Sequence, residues 1–478
     1  MPNLIALEWR RLRRETLYWI ALCLCVGGLW YGLSNGLAWR QFQQDGIRRA
    51  AAIGAEGIAT AKAKAAELNA DASKQIDFWG DPRSGIGFEG AYLRLYDCLS
   101  PAPLAALAVG QSDLLPYCVQ VKTGPWPNFD QSDEWENPVR LLLGRFDCAF
   151  AIIYLLPLLA LLVSFNLFSR EREQGTLPLL LSYPVSARLW LAVCFLLRAT
   201  VFLGVVLAAL TAELFIAGFA ASAPGATSDL LFWLAIILAY GGFWFALAFA
   251  VNAGGRSSET NALILVGCWL ALVILLPAGL NLALKQIYPL PSRVEFIDTL
   301  RAASAQAEKM GSSLLQKYLH DHPDLAPGDK KENENQFIET LIAVNAETER
   351  LLDPAKRRFR DQNNRQVEAI ERLSALSPAI VFQRAANALS GNDQTRHMRF
   401  IDAVEAHRDE VKRFLDPSFA SEAPFTDYDG VPAFAYEQRT NLQNNAQGAL
   451  GALLLLLTPS ALLAAWGWRR LRRPLLER

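Results

Sequence analysis

Five stretches of this chain run for more than twenty residues without one Asp, Glu, Lys or Arg: 16–39, 148–169, 230–255, 260–284 and 446–468. About 20 mostly apolar residues suffice for a helix to cross a bilayer. A sixth run, 189–223, is as apolar but holds Arg198 and Glu213. Lipid satisfies no backbone polar group, so runs of this kind must be helical. The expected fold class is therefore an all-α polytopic membrane protein with six transmembrane helices. Composition agrees, with 52% hydrophobic and only 19% charged residues, against about a quarter charged in a typical soluble chain. The run at 16–39 is too long for a cleaved signal, and no small-residue cleavage site follows it.

Lys and Arg beside the runs set the expected orientation. Arg10, Arg11, Arg13 and Arg14 precede the first run, and Arg469, Arg470, Arg472 and Arg473 follow the last. Arg170, Arg172, Arg188 and Arg256 flank inner turns, whereas 224–229 carries no Lys or Arg. Both termini are then cytoplasmic, and two large polar segments, mainly helical insertions, lie outside, in the periplasm of a Gram-negative cell. The expected organisation is a basic amphipathic helix and first span at 1–39, and a first outer segment at 40–147. Spans two to five follow at 148–284, a second outer segment at 285–445, and the sixth span with a basic tail at 446–478.

Within the outer segments, Ala-, Lys- and Glu-rich sequence after residue 40 reads as a helical continuation of the first span. "PAPLAALAVG" at 101–110 is apolar but too short to span; it either lies at the outer surface or packs on the second outer segment. "SPAIVFQRAANALSG" at 377–391 reads as a surface-lying helix. Residues 122–138 read as irregular loop, and Asp353-Pro354 as a helix start. "YLHDHPD" at 318–324 reads as a turn with a proline cap, and no metal site is expected. Cys98 and Cys118 are the two cysteines of the outer segments. An oxidising compartment allows them to close as a disulfide; the alternative is two buried thiols. The remaining five cysteines fall in or beside spans as small apolar residues.

A net charge of −1 argues for no nucleic-acid partner. The sequence contains no G-x-x-x-x-G-K-[ST], so it supplies no phosphate-binding loop of its own. Arg198 and Glu213 are intramembrane charges about 22 Å apart along one helix, too far to pair. Each is read either as part of a transport path or as an anchoring ion pair.

Between the second and third runs stands "SREREQGTLPLLLSYPVS", residues 169–186. Glu171 and Glu173 suit the positive end of a helix, Gly175 and two prolines force turns, and "LPLLLSYP" is a short apolar patch. This pattern serves either to dock a cytoplasmic partner or to form an interfacial turn. The stretch closely resembles the cytoplasmic segment of ABC type-2 permeases, E-x-E-x-G-T-L-x-x-L-L-x-x-P-V-S. The basic entry "LIALEWRRLRRETLYWIAL" is similar to that family's N-terminal helix. The two outer segments resemble a bacterial branch with large periplasmic insertions after the first and fifth spans.

The resemblance implies a permease that is not itself an enzyme. Its coupling helix, 170–186, would dock a separate ABC ATP-binding subunit through Arg170, Glu171, Arg172, Glu173, Gly175, Thr176, Leu177, Leu180 and Pro184. ATP and Mg would be bound by that subunit, with no cofactor in this chain. A second permease copy or a paralogue, the lipid bilayer and a periplasmic partner complete the expected set. The location would be the bacterial inner membrane, and the function export or transmission of force. The alternative is a membrane-anchored periplasmic interaction or assembly scaffold without transport.

Overall fold

The computed structural model describes residues 2–71, 76–124, 145–177, 186–219, 221, 223–289, 293–311, 313, 332–419, 424–436 and 442–471. The expected loop at 122–138, the "YLHDHPD" turn, Leu180 and Pro184 fall wholly or largely outside these. The described chain is mostly helical, with one hairpin of two three-residue strands.

Helix α1 (Pro2–Arg14) breaks at Glu15, whose backbone is extended, and α2 (Thr16–Ala70) begins at once. At 1.5 Å per residue, 55 residues of unbroken helix reach about 80 Å. The apolar run thus continues as one rod into the polar segment. Strands β1 (Tyr96–Cys98) and β2 (Cys118–Gln120) pair antiparallel with Cys98 opposite Cys118, and those two residues form a disulfide.

Helix α3 (Cys148–Leu162) starts on Asp147, whose Oδ1 accepts from the Phe150 amide at 2.7 Å. It contains a wide π turn at Ala151–Leu155 just before Pro157. Proline has no N–H to give and crowds the carbonyl four residues back, so a widened turn accommodates it. The same device precedes Pro277, where Leu270–Leu275 form a π turn. Contrary to the reading of one run from 148 to 169, α3 stops at Leu162 and turns occupy 163–168. Distant side chains hold this break. Arg198 donates to the Val163 carbonyl at 2.9 Å. Asn252 donates to the Ser164 carbonyl at 3.1 Å and accepts from the Phe168 amide at 3.3 Å. Irregular backbone among apolar helices persists only where such partners are supplied.

The short helix α4 (Ser169–Glu173) follows, then α5 (Ala187–Ile216), α6 (Ala226–Asn252), and α7, continuous from Ser258 to Ile287. Four further helices are α8 (Arg293–Lys309), α9 (Glu332–Leu373), α10 (Pro378–Leu389) and α11 (Gln394–Phe419). Helix α12 (Leu442–Arg470) ends the series. Among the described residues, five helices, α2, α5, α6, α7 and α12, are long and apolar enough to cross a membrane; α3 is a shorter apolar helix. In α6, 61% of the apolar window is buried, against 11% in α7. Helix α6 is therefore the centre of the bundle, and α7 presents an apolar face outwards.

The two polar segments build one lobe. The far end of α2, the hairpin, α11 and residues 424–436 share a core in which Phe88, Phe400 and Leu415 are fully buried. Phe88 stacks on Phe425 at 5.1 Å, and Lys62 of α2 pairs with Asp429 at 2.6 Å. Two apolar pieces of the polar segments join the bundle itself. Helix α10 is not laid on a surface: Phe382 is fully buried against Trp233 and Tyr240 of α6. Ser377 donates to the Leu272 carbonyl of α7 at 2.7 Å. Residues 104–109 are equally buried, and Asn392 donates to the carbonyls of Ala105 and Ala108 at 3.1 and 2.6 Å. They approach α2 so closely that a Cβ at Gly36 would strike the Ala106 carbonyl. Helix α9 also departs from expectation, running unbroken through Pro354. Leu352, fully buried with Leu300 and Ala303 of α8, holds the helix on course there, and Asp353 pairs with Arg357 at 2.7 Å instead of capping.

Candidate functional site

The described part of the stretch with the most specific sequence pattern, residues 169–177, sits against α1 and the start of α7. Helix α4 ends in a tight reversal made possible by Gly175, which adopts φ +72°, a region open to glycine at little cost. The Gly175 amide donates to the Arg172 carbonyl at 3.1 Å, and the Thr176 amide to the Glu171 carbonyl at 3.0 Å. This pair of bonds is the Schellman ending, which satisfies carbonyls the helix would otherwise leave open.

The charged residues of α4 then face three ways. Glu171, largely buried, accepts from Arg11 of α1 at 2.9 Å and from the Thr176 hydroxyl at 2.5 Å. Arg172 donates to the Gly255 carbonyl in the turn before α7. Glu173 accepts from the Ser258 amide and hydroxyl, both at 2.7 Å, while Ser169 shares a 2.8 Å hydrogen bond with the same hydroxyl. Glu173 therefore caps the positive end of α7, not a helix start of its own segment as the sequence reading had it. These Ser258 bonds hold its carboxyl below the usual glutamate range. Leu177 is buried, contrary to an exposed apolar patch at that position, whereas Arg170, Gln174 and Gly175 are exposed. The described part of the element thus presents a polar tip and buries Glu171, while Glu173 stays exposed and reaches Ser258 along the surface.

Arg198 explains how α1 is fastened. It is 5% exposed, pairs with Glu15 at 2.7 Å and Glu8 at 3.5 Å, and holds the Val163 carbonyl. Tyr18 donates to its backbone carbonyl at 2.8 Å. Glu15 also lies 3.9 Å from Arg170. A single ionic cluster thus ties α1, α4 and α5, with Arg198 at its centre. Glu213, in the last turn of α5, does not join it; its Oε2 is buried without a hydrogen-bond partner. Glu8, Glu15, Arg11 and Ser258 carry no local signature, because each acquires its role from residues far away in sequence. Among the described residues, no three His, Cys, Asp or Glu side chains gather as metal ligands.

What this geometry offers is mechanical. A displacement of the exposed tip at Gln174–Gly175 acts at once on α1 through Glu171 and on α7 through Arg172 and Glu173. Helix α1 meets α2 at Glu15, and α2 is one rod into the lobe. Residues 293–437, most of the second polar segment, match the model of a family described as a Domain of unknown function (DUF3526). Comparison with curated proteins and with solved structures returns no match.

Proposed function

We propose that this chain is the membrane-spanning permease subunit of an ATP-driven ABC transporter. A separate ATP-binding subunit, carrying ATP and Mg, docks on 170–186, and its closure moves the spans and the lobe. The observation that carries the reading is α4 itself: a helix closed by Gly175, exposed at its tip, and pinned inwards to α1 and α7. An interfacial turn needs no such three-way fastening. A docking lever does, because force applied at its tip must reach more than one span.

In this reading α3 is a sixth, interrupted span, both termini are cytoplasmic, and the lobe lies in the periplasm of a bacterial inner membrane. The Cys98–Cys118 bond supports that side, since disulfides persist in oxidising compartments. Two such chains, identical or paired with a similar permease, form the core. The lever path is α4 to α1 to α2, and α2 enters the lobe core through Ala61 and Ala65.

The test is purification of the full chain from its native membrane in mild detergent. An ATP-binding subunit should co-purify, and its ATP hydrolysis should change when the permease is present. A preparation that holds no ATPase, with hydrolysis indifferent to added permease, would overturn the reading.

A further inference from the structure

A buried titratable pair in the described lobe is not used by the lever. Asp97 on β1 is fully buried, and His407 on α11 is 4% exposed. His407 Nδ1 lies 2.8 Å from Asp97 Oδ2, and its Nε2 lies 3.0 Å from the Pro432 carbonyl. Three separate pieces of chain meet at this ring: the disulfide-closed hairpin, α11 and residues 424–436.

The hydrogen-bond inventory decides the proton count. The Pro432 carbonyl can only accept, so Nε2 must carry a proton. At Nδ1 the proton sits either on the ring, facing an ionised Asp97, or on the Asp97 carboxyl, facing a neutral ring. Both arrangements hold one more proton than neutral histidine beside ionised aspartate. Removal of that proton sets a nitrogen lone pair against either the carboxylate or the carbonyl. One of the two links is then lost, inside a site that excludes water.

We infer that Asp97 and His407 form a proton-held latch that joins the two polar segments of the lobe, closed in the protonated pair and released when the pair loses its proton. This does not rest on the transporter reading.

The surroundings agree. Burial disfavours the charged ring, but the Asp97 bond, the Pro432 carbonyl and the negative charges of Asp97 and Glu410 outweigh it, so His407 titrates above its ordinary range. Burial pushes the Asp97 carboxyl up, against the lowering effect of the His407 bond. The other charges nearby on α11 are engaged elsewhere: Arg408 pairs with Glu349 of α9 at 3.1 Å and Asp409 at 3.4 Å, and Lys412 with Glu349 at 3.3 Å. From 424–436 the ring meets Phe434, centroids 5.4 Å apart, and Asp429 is paired with Lys62. Since the folded-state value is raised, the latch is complete at and below the ordinary histidine range. It is lost as pH rises through the raised value, a window that begins near neutrality and extends upwards.

The experiment is hydrogen exchange on the full chain in detergent from about pH 6 to about pH 9, corrected for the intrinsic pH dependence of exchange. Amides around Pro432–Tyr436 or Tyr96–Leu99 should open roughly tenfold or more across the window, a tenfold change matching about one pH unit of linkage. His407→Gln should abolish the step. Asp97→Asn should abolish it or move its midpoint to lower pH, because the amide of Asn can donate to a neutral ring. Should either variant fail to fold, ring signals of the four histidines followed by NMR in the unmodified chain decide the matter. One buried ring must titrate above the free-histidine value. No step in the unmodified chain, an unchanged step in His407→Gln, or no histidine titrating high would overturn the latch.

Discussion

Removing Arg198 should detach α1 while leaving most of the bundle folded. In Arg198→Met the carboxylates of Glu8 and Glu15, whose side chains are 3% and 23% exposed, lose their shared cation. The Val163 carbonyl loses its donor in the same step. Breaking a buried pair by removing one partner costs about 3–5 kcal/mol, because the remaining charge is stranded. At about 1.4 kcal/mol per decade, the population with α1 undocked should rise by roughly a hundredfold or more. Trypsin cleavage at Arg10, Arg11, Arg13 and Arg14 in detergent reads this directly, since cutting tracks the open population. The stranded-charge argument makes a second demand: Arg198→Met combined with Glu8→Gln and Glu15→Gln should recover much of the protection, as buried pairs replaced whole are often near neutral. Unchanged cleavage in the single variant, or a triple variant no better than the single, would refute the reasoning.

Three further outcomes are expected. Gly36→Ala forces α2 away from the Ala106 carbonyl and should destabilise the chain by about 1–3 kcal/mol, seen as a lowered thermal midpoint, whereas Gly27→Ala, with open space around it, should be mild. Replacing both Cys98 and Cys118 by Ser releases a closure of 20 residues, worth about 3 kcal/mol by chain entropy, and should speed proteolysis in the lobe before the bundle. Glu173→Gln or Ser258→Ala should weaken the clasp of α4 on α7. Because the Glu173 carboxyl is held low, the clasp in the unmodified chain is present above the ordinary glutamate range and is lost only as pH falls through the depressed value; cross-linking of cysteines placed at Gln174 and Arg256 across an acid titration follows it.

Charge-free length located the apolar helices, whereas the widened turns before Pro157 and Pro277 emerge only with the fold. The end of α3 was not legible. Residues 163–168 are as apolar as their neighbours, and what stops the helix is Arg198 and Asn252, 35 and 88 residues away from the carbonyls they hold. Pro354 misled in the other direction, because tertiary packing of Leu352 overrides a local stop signal. For the candidate site, the pattern of residues marked the element but not its wiring. Glutamates spaced by two read as helix-start charges, and only the fold shows one reaching Arg11 and the other Ser258. The Asp97–His407 pair, 310 residues apart, leaves no trace that spacing could reveal.

The central claim is that the exposed tip of α4 is where an ATP-binding subunit docks. A photo-reactive residue in place of Gln174 tests it most directly, since Gln174 is exposed and its side chain forms none of the α4 contacts described. In native membranes that probe should cross-link to an ATP-binding subunit, in a yield that responds to ATP, while the same probe at exposed Glu56 on the far part of α2 should not. A tip that captures only lipid, or captures the same proteins as Glu56, would contradict the account.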